Sequence, residues 1–271
     1  IILKKNMRLG THGSITGWIG KDEGFEYGTR ASIASYKNKL NWQASIGHSK
    51  PTWRDDLFLV RTVGNETYDQ TTKSPYNPNR FNVSGNIDYY INDNNSIGIG
   101  GRWNTRKSNR ISSSKTIISD ANASNTLFSE NSFDRDRVDF SINPYYEYKS
   151  DTDKLVVDFN YIDYKNENIN TLYDVPGSTV TYQDRRYLQD GKYTIKAFKA
   201  DYSITFSENL TVSFGSKYSM VKTDSDLQSY LENTSNGFDL DVLGSSSFLV
   251  DETIFAAYSK INATSGKWSF S

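Results

Sequence analysis

Two histidines, His12 and His48, have the most versatile side-chain chemistry in this sequence, because imidazole can bind a metal ion or transfer a proton near neutral pH. Either role needs further ligands or an acid–base partner, and none stands at a suitable spacing. The chain has no cysteine, which excludes disulfides, thiolate catalysis and cysteine metal sites. No nucleophile with a paired base can be named, so the sequence predicts neither an enzyme nor a metal or cofactor site.

Two further patterns resemble ligand sites only superficially. Carboxylates are paired two residues apart at Asp134/Asp136, Asp151/Asp153, Asp224/Asp226 and Asp239/Asp241. None of these pairs stands in a twelve-residue calcium loop with glycine at position six and glutamate at position twelve. The glycines of "SIGIGG" (96–101) lack the Lys-Ser/Thr and the helix that complete a phosphate loop. Both patterns are better explained as turns and as small residues in a curved strand.

Arginines and aromatic residues in the polar stretches are the remaining candidates for binding. A guanidinium can hold a carboxylate or phosphate through two hydrogen bonds, and an aromatic ring can stack on a sugar or peptide. The candidate ligand-binding residues are Trp53, Tyr68, Tyr76, Arg102, Arg106, Arg135, Tyr173, Tyr182 and Arg185. A solvated charged rim and loop-to-loop packing of the rings are the alternatives.

The overall charge gives no reason to expect a nucleic-acid partner, since 31 basic residues balance 32 acidic ones to a net charge of −1. No run of about 18 apolar residues could form a transmembrane helix. The mean hydropathy of −0.66 does not exclude a transmembrane barrel, whose strands alternate lipid-facing and lumen-facing residues.

Short turns recur along the chain about every 56 residues, which indicates a repeated hairpin. The turns are at 37–39, 92–95, 150–153, 207–209 and 262–267. Between them lie long polar connections, at 50–79, 107–135, 168–191 and 223–250. Short turns at one end and long loops at the other are typical of an outer-membrane barrel, with the turns in the periplasm and the loops outside the cell.

The strand candidates alternate strictly and are long. In 79–91, Phe81, Val83 and Ile87 oppose Asn82 and Ser84. A soluble sandwich with one wet face gives the same alternation. The position of the aromatic residues favours the membrane, because they fall just before the short turns, at the depth of an interface girdle. The predicted girdle is Tyr36, Tyr89, Tyr90, Tyr146, Tyr148, Tyr202, Phe206 and Tyr258.

The predicted fold is therefore all-β, an antiparallel transmembrane β-barrel with short periplasmic turns and long extracellular loops. About ten strands are expected, and an eleventh begins in "KWSFS" (267–271). Since closed single-chain bacterial barrels have an even number of strands, we expect a fragment with open edges.

Several segments resemble TonB-dependent outer-membrane receptors. The opening "IILKKNMRLGTHG" (1–13) is similar to the junction between plug and barrel in that family, through Ile1, Ile2, Lys4, Lys5, Gly10 and Gly13. Three later segments, "GNIDYYINDNNSIGIGG", "KADYSITFSENLTVSFGSKYS" and "FLVDETIFAAYSKINATSGKWSFS", look like hairpins of its outer membrane protein β-barrel branch. The second has Ile204-Thr205-Phe206 where the branch usually has Pro-Leu before the turn, and the alternation is kept.

This resemblance implies a domain division and a function. Residues 1–6 would end a plug domain or form the junction, and 7–271 would form about ten or eleven strands of a barrel of about 22. The protein would sit in the bacterial outer membrane, contact its lipid and take up a nutrient ligand. A missing plug would couple it to a TonB-type energy transducer, and a surface lipoprotein is a further candidate partner. The alternatives are a non-transport surface barrel or adhesin that binds through its long loops, and a soluble all-β carbohydrate-binding module.

Overall fold

The computed structural model describes residues 10–180, 183–235, 237–266 and 268–270. The predicted plug or junction segment, 1–6, lies outside these ranges, as does Tyr182. Within them the chain is built from β-strands and their connections. No helix of this part of the chain is long and apolar enough to cross a membrane.

Thirteen strands form one antiparallel sheet. They are β1 (Gly10–Lys21), β2 (Phe25–Lys37), β3 (Leu40–Lys50), β4 (Trp53–Val63), β5 (Glu66–Tyr76), β6 (Asn79–Tyr90), β7 (Asn95–Ser119), β8 (Ser124–Lys149), β9 (Asp153–Asp174), β10 (Arg185–Ser207), β11 (Leu210–Glu232), β12 (Phe238–Ser265) and β13 (Trp268–Phe270).

Eleven of the strands follow one another in chain order across the sheet, with β6 next to β3. This path confirms the predicted all-β antiparallel class. The hairpin of β4 and β5 is additional: β4 pairs with β5, and β5 pairs with the far half of β7. Within the described residues, β1 pairs only with β2 and β13 only with β12, so the sheet is not closed and forms a partial barrel.

The short turns lie together at one end of the sheet, and polar side chains hold them. The Asn94 backbone N–H and the Asn95 side-chain amide both donate to Asn92 Oδ1, at 3.0 and 2.8 Å. In the next turn, the Asp153 N–H donates to Ser150 Oγ at 2.9 Å. The first turn contains Asn38 at φ +53°, a conformation that asparagine tolerates better than most residues. These contacts explain why polar residues alone recur there.

The long connections at the opposite end have a conformation that the sequence did not predict. The stretches 107–135, 168–191 and 223–250 are mostly continuations of β7 to β12, which run for 22 to 28 residues each. The connection 50–79 is mostly the hairpin of β4 and β5. Above the lipid both faces of a strand are wet, so polar residues occupy both faces and the alternation that reveals a strand is lost.

The sheet is a single layer, and its apolar face has no protein partner. Apart from prolines and glycines, Ile118 and Ala197 are the only buried apolar residues in the described part of the chain. Large apolar side chains stand exposed instead, for example Ile15 at 87% and Phe255 at 72%. A soluble sandwich would bury this face against a second sheet. Its exposure is what a lipid-facing barrel wall requires.

Candidate functional site

Three arginines stand side by side on the polar face of neighbouring strands. Arg80 of β6 is directly opposite Arg106 of β7, and Arg106 is directly opposite Arg137 of β8. Neighbouring strands are about 4.8 Å apart, and like charges that face each other across a strand pair are destabilising. Such a row therefore opposes folding unless something compensates its charge.

Two more arginines extend this row away from the membrane. On β7, Arg110 is the next residue after Ser108 on the polar face. Arg135 of β8 is directly opposite Ser108. The Arg135 Nε donates to Asn168 Oδ1 at 3.0 Å. We call the five residues Arg80, Arg106, Arg110, Arg135 and Arg137 the arginine cluster.

Aromatic rings hold the guanidiniums in place. The Arg80 Cζ lies 4.2 Å from the centre of the Trp53 ring, and the Arg106 Cζ lies 6.0 Å from it. Trp53 itself packs edge-on against Tyr76, with 5.4 Å between ring centres. Further into the sheet, the Arg135 Cζ lies 4.8 Å from Phe133 and the Arg137 Cζ 4.7 Å from Tyr164. These distances lie within the range of cation–π interactions.

Few carboxylates contact the cluster. Asp139 Oδ2 lies 3.9 Å from Arg137 Nε, and Asp139 Oδ1 is equally far from Arg102 Nε. Asp55 Oδ2 lies 3.7 Å from Arg110, and its side chain is 66% exposed. Burial, and next the charge of Arg106, lower the pKa of Arg135 from its ordinary value. Positive charge is therefore only partly compensated here.

Four guanidinium nitrogens in the cluster lack a hydrogen-bond partner. The Nε atoms of Arg80, Arg106, Arg110 and Arg137 are buried and unpaired. A buried donor without a partner typically costs about 1 to 3 kcal/mol. The site thus combines excess positive charge with unused donors, which suits it to an anionic ligand.

The cluster begins where the lipid-facing surface ends. Phe81 and Trp103 are the outermost aromatic residues on the apolar face of β6 and β7, with 5.6 Å between their ring centres. The next level of that face carries an ion pair, in which Lys107 Nζ lies 2.6 Å from Asp136 Oδ2. The arginines occupy the opposite, polar face at this level, so they face the lumen above the membrane.

The structure brings some of the predicted ligand-binding residues together and separates others. Arg106 and Arg135 belong to the arginine cluster, and Trp53 and Tyr76 contact it. Arg102 lies on the same face of β7, four residues before Arg106. Tyr68, Tyr173 and Arg185 line a separate cavity of about 450 Å³ nearer the hairpin tips. Tyr182 lies outside the described residues.

Sequence reasoning missed Arg80 and Arg110, together with the rings of Phe133 and Tyr164. Arg80 is 26 residues from Arg106 in the chain, and only the strand register places the two opposite each other. Phe133 and Arg110 fall in a stretch that was expected to be a loop. The even spacing of Arg106 from Arg110, and of Arg135 from Arg137, was the signal that could have placed each pair on one face of its strand.

The predicted aromatic girdle divides between the two faces of the sheet. Tyr89, Tyr146, Tyr148 and Tyr202 share the apolar face, and Phe206 lies at a register shift. Tyr36, Tyr90 and Tyr258 lie on the polar face: Tyr36 stacks on His12 at 6.4 Å, Asn41 Nδ2 donates to Tyr90 Oη at 3.2 Å, and Tyr258 donates to Asp201. All eight lie near the short turns. Their role at the membrane interface stays a prediction.

Comparison with known proteins gives a family for part of the chain. Residues 146–271 match the model of the outer membrane protein beta-barrel family. No curated protein gives a significant match.

Solved structures give a fold. The chain superposes on the closed form of the ferric-catecholate import receptor Fiu from E. coli K12 with a TM-score of 0.51 and 13% identity, covering 93% of this chain and 43% of Fiu. The ferric yersiniabactin uptake receptor FyuA from Yersinia pestis matches at a TM-score of 0.42 and 7% identity, over 95% and 45% of the two chains. The outer membrane protease OmpT from Escherichia coli matches at 0.31 and 12%, over 93% and 92%.

The single-layer sheet, its lipid-facing surface and the superposition define a partial β-barrel of the bacterial outer membrane. Together with the family match over residues 146–271, these findings confirm the outer-membrane β-barrel and the location predicted from the sequence. The chain spans less than half the length of Fiu.

Proposed function

We propose that this chain forms part of the barrel wall of an outer-membrane receptor that takes up a nutrient ligand. The arginine cluster carries the proposal, because it is a preformed binding surface on the lumen side, just above the lipid. A ligand captured there would pass inward through a plug that lies outside this chain. The plug would be coupled to a TonB-type energy transducer.

The surface below the cluster supports a passage or a plug seat. A concave region of about 700 Å³ lies on the polar face at mid-depth. Small hydroxyl residues line it and bond to each other across strands, as in Ser14 to Ser32 at 2.8 Å and Ser45 to Ser84 at 2.9 Å. Such a wall is polar, and its small residues alternate with a few long side chains such as Arg30 and Arg102. It suits a surface over which a ligand or a plug moves.

The similarity to Fiu also supports a role in the uptake of a ligand. Fiu is a ferric-catecholate import receptor, and the likeness of this chain to it extends to the fold alone. Transport and energy coupling remain parts of the proposal.

Energy-dependent depletion of a ligand from the medium tests the proposal. Cells that carry the full-length receptor should remove at least one component of a defined nutrient mixture faster than cells in which its gene is deleted. Mass spectrometry of the medium follows each component. A protonophore should abolish the difference, because it removes the energy source of the transducer. Equal depletion by both strains across nutrient mixtures would contradict uptake.

A second candidate function is a surface barrel that binds a partner, and the free edge of β4 favours it. Among the described residues this strand pairs only with β5, and it exposes Phe58 at 72% and Val60 at 66%. An open edge with apolar side chains can pair with a strand from another protein. Val60→Lys should then abolish adhesion of receptor-bearing cells and leave ligand depletion unchanged. The soluble carbohydrate-binding alternative does not agree with the outer-membrane fold.

A further inference from the structure

We propose that the arginine cluster binds a soluble polyanion, a ligand with at least two carboxylate or phosphate groups. The inference rests on the proposed uptake function and names the class of ligand for that site. The number of arginines indicates more than one negative charge, because five guanidiniums contact only Asp139 and Asp55 among the described carboxylates.

The like-charge row is the first argument. Arg80, Arg106 and Arg137 face one another across two consecutive strand pairs, and each substitution by a neutral residue would relieve repulsion. No fold requirement explains them, since the rows below and above contain asparagine and serine at the same positions of β7, Asn104 and Ser108. A ligand with several negative charges compensates the whole row at once.

The unused donors are the second argument. The guanidiniums of Arg80, Arg135 and Arg137 lie close to the rings of Trp53, Phe133 and Tyr164. The Nε atoms of Arg80, Arg106 and Arg137 are buried without a hydrogen-bond partner, so a ligand would bind at the terminal nitrogens of these guanidiniums and compensate their charge. Planar guanidinium edges match carboxylate and phosphate geometry through paired hydrogen bonds.

The arginine cluster lies on one face of the sheet, and this position indicates the source of the ligand. Lipopolysaccharide phosphates contact the outward face, where Lys107 is already paired with Asp136 at this level. The arginine cluster lies on the opposite face, and the sheet separates it from the lipid. The ligand is therefore a soluble molecule in the lumen.

Calorimetric titration of the full-length receptor in detergent micelles tests the inference. The probes are tripolyphosphate and citrate, which separate phosphate from carboxylate chemistry, and maltotriose as a neutral control. We expect saturable binding of at least one polyanion, no binding of maltotriose, and weaker binding as salt is raised. Binding of neither polyanion would overturn the inference, and so would equal binding of maltotriose.

Substitution of the central arginine gives a sharper result. Arg106→Gln should weaken polyanion binding about tenfold, because charge-assisted hydrogen bonds are lost. The same substitution should leave the thermal midpoint of the ligand-free receptor unchanged or raise it, since repulsion is relieved. A merely structural arginine would lower the midpoint instead.

A matched control exists on the other face. Arg186 also stacks on a ring, with its Cζ 4.2 Å from the centre of Phe238, but it belongs to the outward face of β10. Arg186→Gln should not change polyanion affinity, and equal weakening by Arg186→Gln and Arg106→Gln would overturn the inference. If Arg106→Gln does not fold, Arg137→Gln takes its place with the same expected result.

The test of polyanion binding and the test of uptake can give different results. Polyanion binding without energy-dependent depletion would contradict the uptake function and support the inference. Depletion of a neutral nutrient by a receptor that binds neither polyanion would support uptake and overturn the inference.

Discussion

At the scale of single residues, one side-chain arrangement occurs twice in the wall. Tyr145 of β8 lies over Gly98 of β7 and donates to Asp88 of β6. Tyr258 of β12 lies over Gly215 of β11 and donates to Asp201 of β10. In both cases the tyrosine and the aspartate are 57 residues apart. Each tyrosine links three strands, and the glycine between them leaves room for the ring.

Replacement of such a glycine by alanine, which adds one methyl group, should show that the tyrosine ring needs this room. A Cβ at Gly98 would collide with the Tyr145 ring, whereas the nearest atom to a Cβ at Gly100 is 3.9 Å away. We expect Gly98→Ala to lower the free energy of unfolding by about 1 to 3 kcal/mol, as overpacking does. Gly100→Ala, on the same face of the same strand, should change it little. Urea unfolding in detergent or lipid gives both values, and equal losses would contradict the packing role.

At the tip of the β7–β8 hairpin, the local structure depends on the charge of a single carboxyl group. The Asn122 and Ala123 backbone N–H groups donate to Asp120 Oδ1, each at 2.7 Å, and hold the pKa of this carboxyl below its usual range. A lowered pKa stabilises the tip above the ordinary carboxyl pKa of about 4, and the stabilisation is lost as the pH falls through the lower folded value.

Hydrogen exchange of the Asn122 and Ala123 amides checks this dependence. Protection should be constant near neutral pH and fall only below the ordinary pKa of aspartic acid. Asp120→Asn keeps an acceptor oxygen without a charge, so its protection should not depend on pH in this range. A fall in protection of the native tip already near pH 6 would contradict the assignment.

At the scale of elements, the turns were predictable and the strand ends were not. The contacts of Asn92 with Asn94 and Asn95 are local, so the sequence carries them directly. The upper half of β7 is mostly polar on both faces, with Ile111, Ile117 and Ile118 as its apolar residues. What makes it a strand is its pairing with β5 and β8. For the same reason Trp53, Tyr76, Arg106 and Arg135 could be chosen by residue type, but their adjacency required the register.

Amide hydrogen exchange along β7 should show that the strand continues beyond its membrane-spanning half. Ser112 and Thr116 are buried, and the Ser74 hydroxyl donates to Ser112 Oγ at 2.8 Å. We expect amides from 112 to 118 to exchange slowly, like those of the membrane-spanning half of β7, because they belong to the same ladder. The amides of Gly177 and Ser178, which make no backbone hydrogen bond within the described residues, serve as an internal reference that should exchange fast. Fast exchange at 112–118 would restore the loop predicted from the sequence.

At the scale of the whole molecule, the apolar surface is outside and the polar surface is inside. Ile87 on the apolar face of β6 is 50% exposed, and its chain neighbour Asn86 lies on the polar face. Ile87→Lys should cost about 1 to 3 kcal/mol of stability in lipid, less than at the bilayer midplane because Ile87 lies close to the short turn after β6. Asn86→Lys should cost much less. Unfolding of the full-length receptor in vesicles measures both, and similar costs would contradict the assignment of the faces.

The length of the hairpins also determines what can reach the arginine cluster. Arg137 is 13 residues from the start of β8 at Ser124, which corresponds to roughly 40 Å of strand at about 3.3 Å per residue. In a closed barrel the cluster would lie at the bottom of a shaft whose walls are these hairpins. A folded protein or an antibody would stop at the rim, however negative its surface. Discrimination by size would thus precede discrimination by charge.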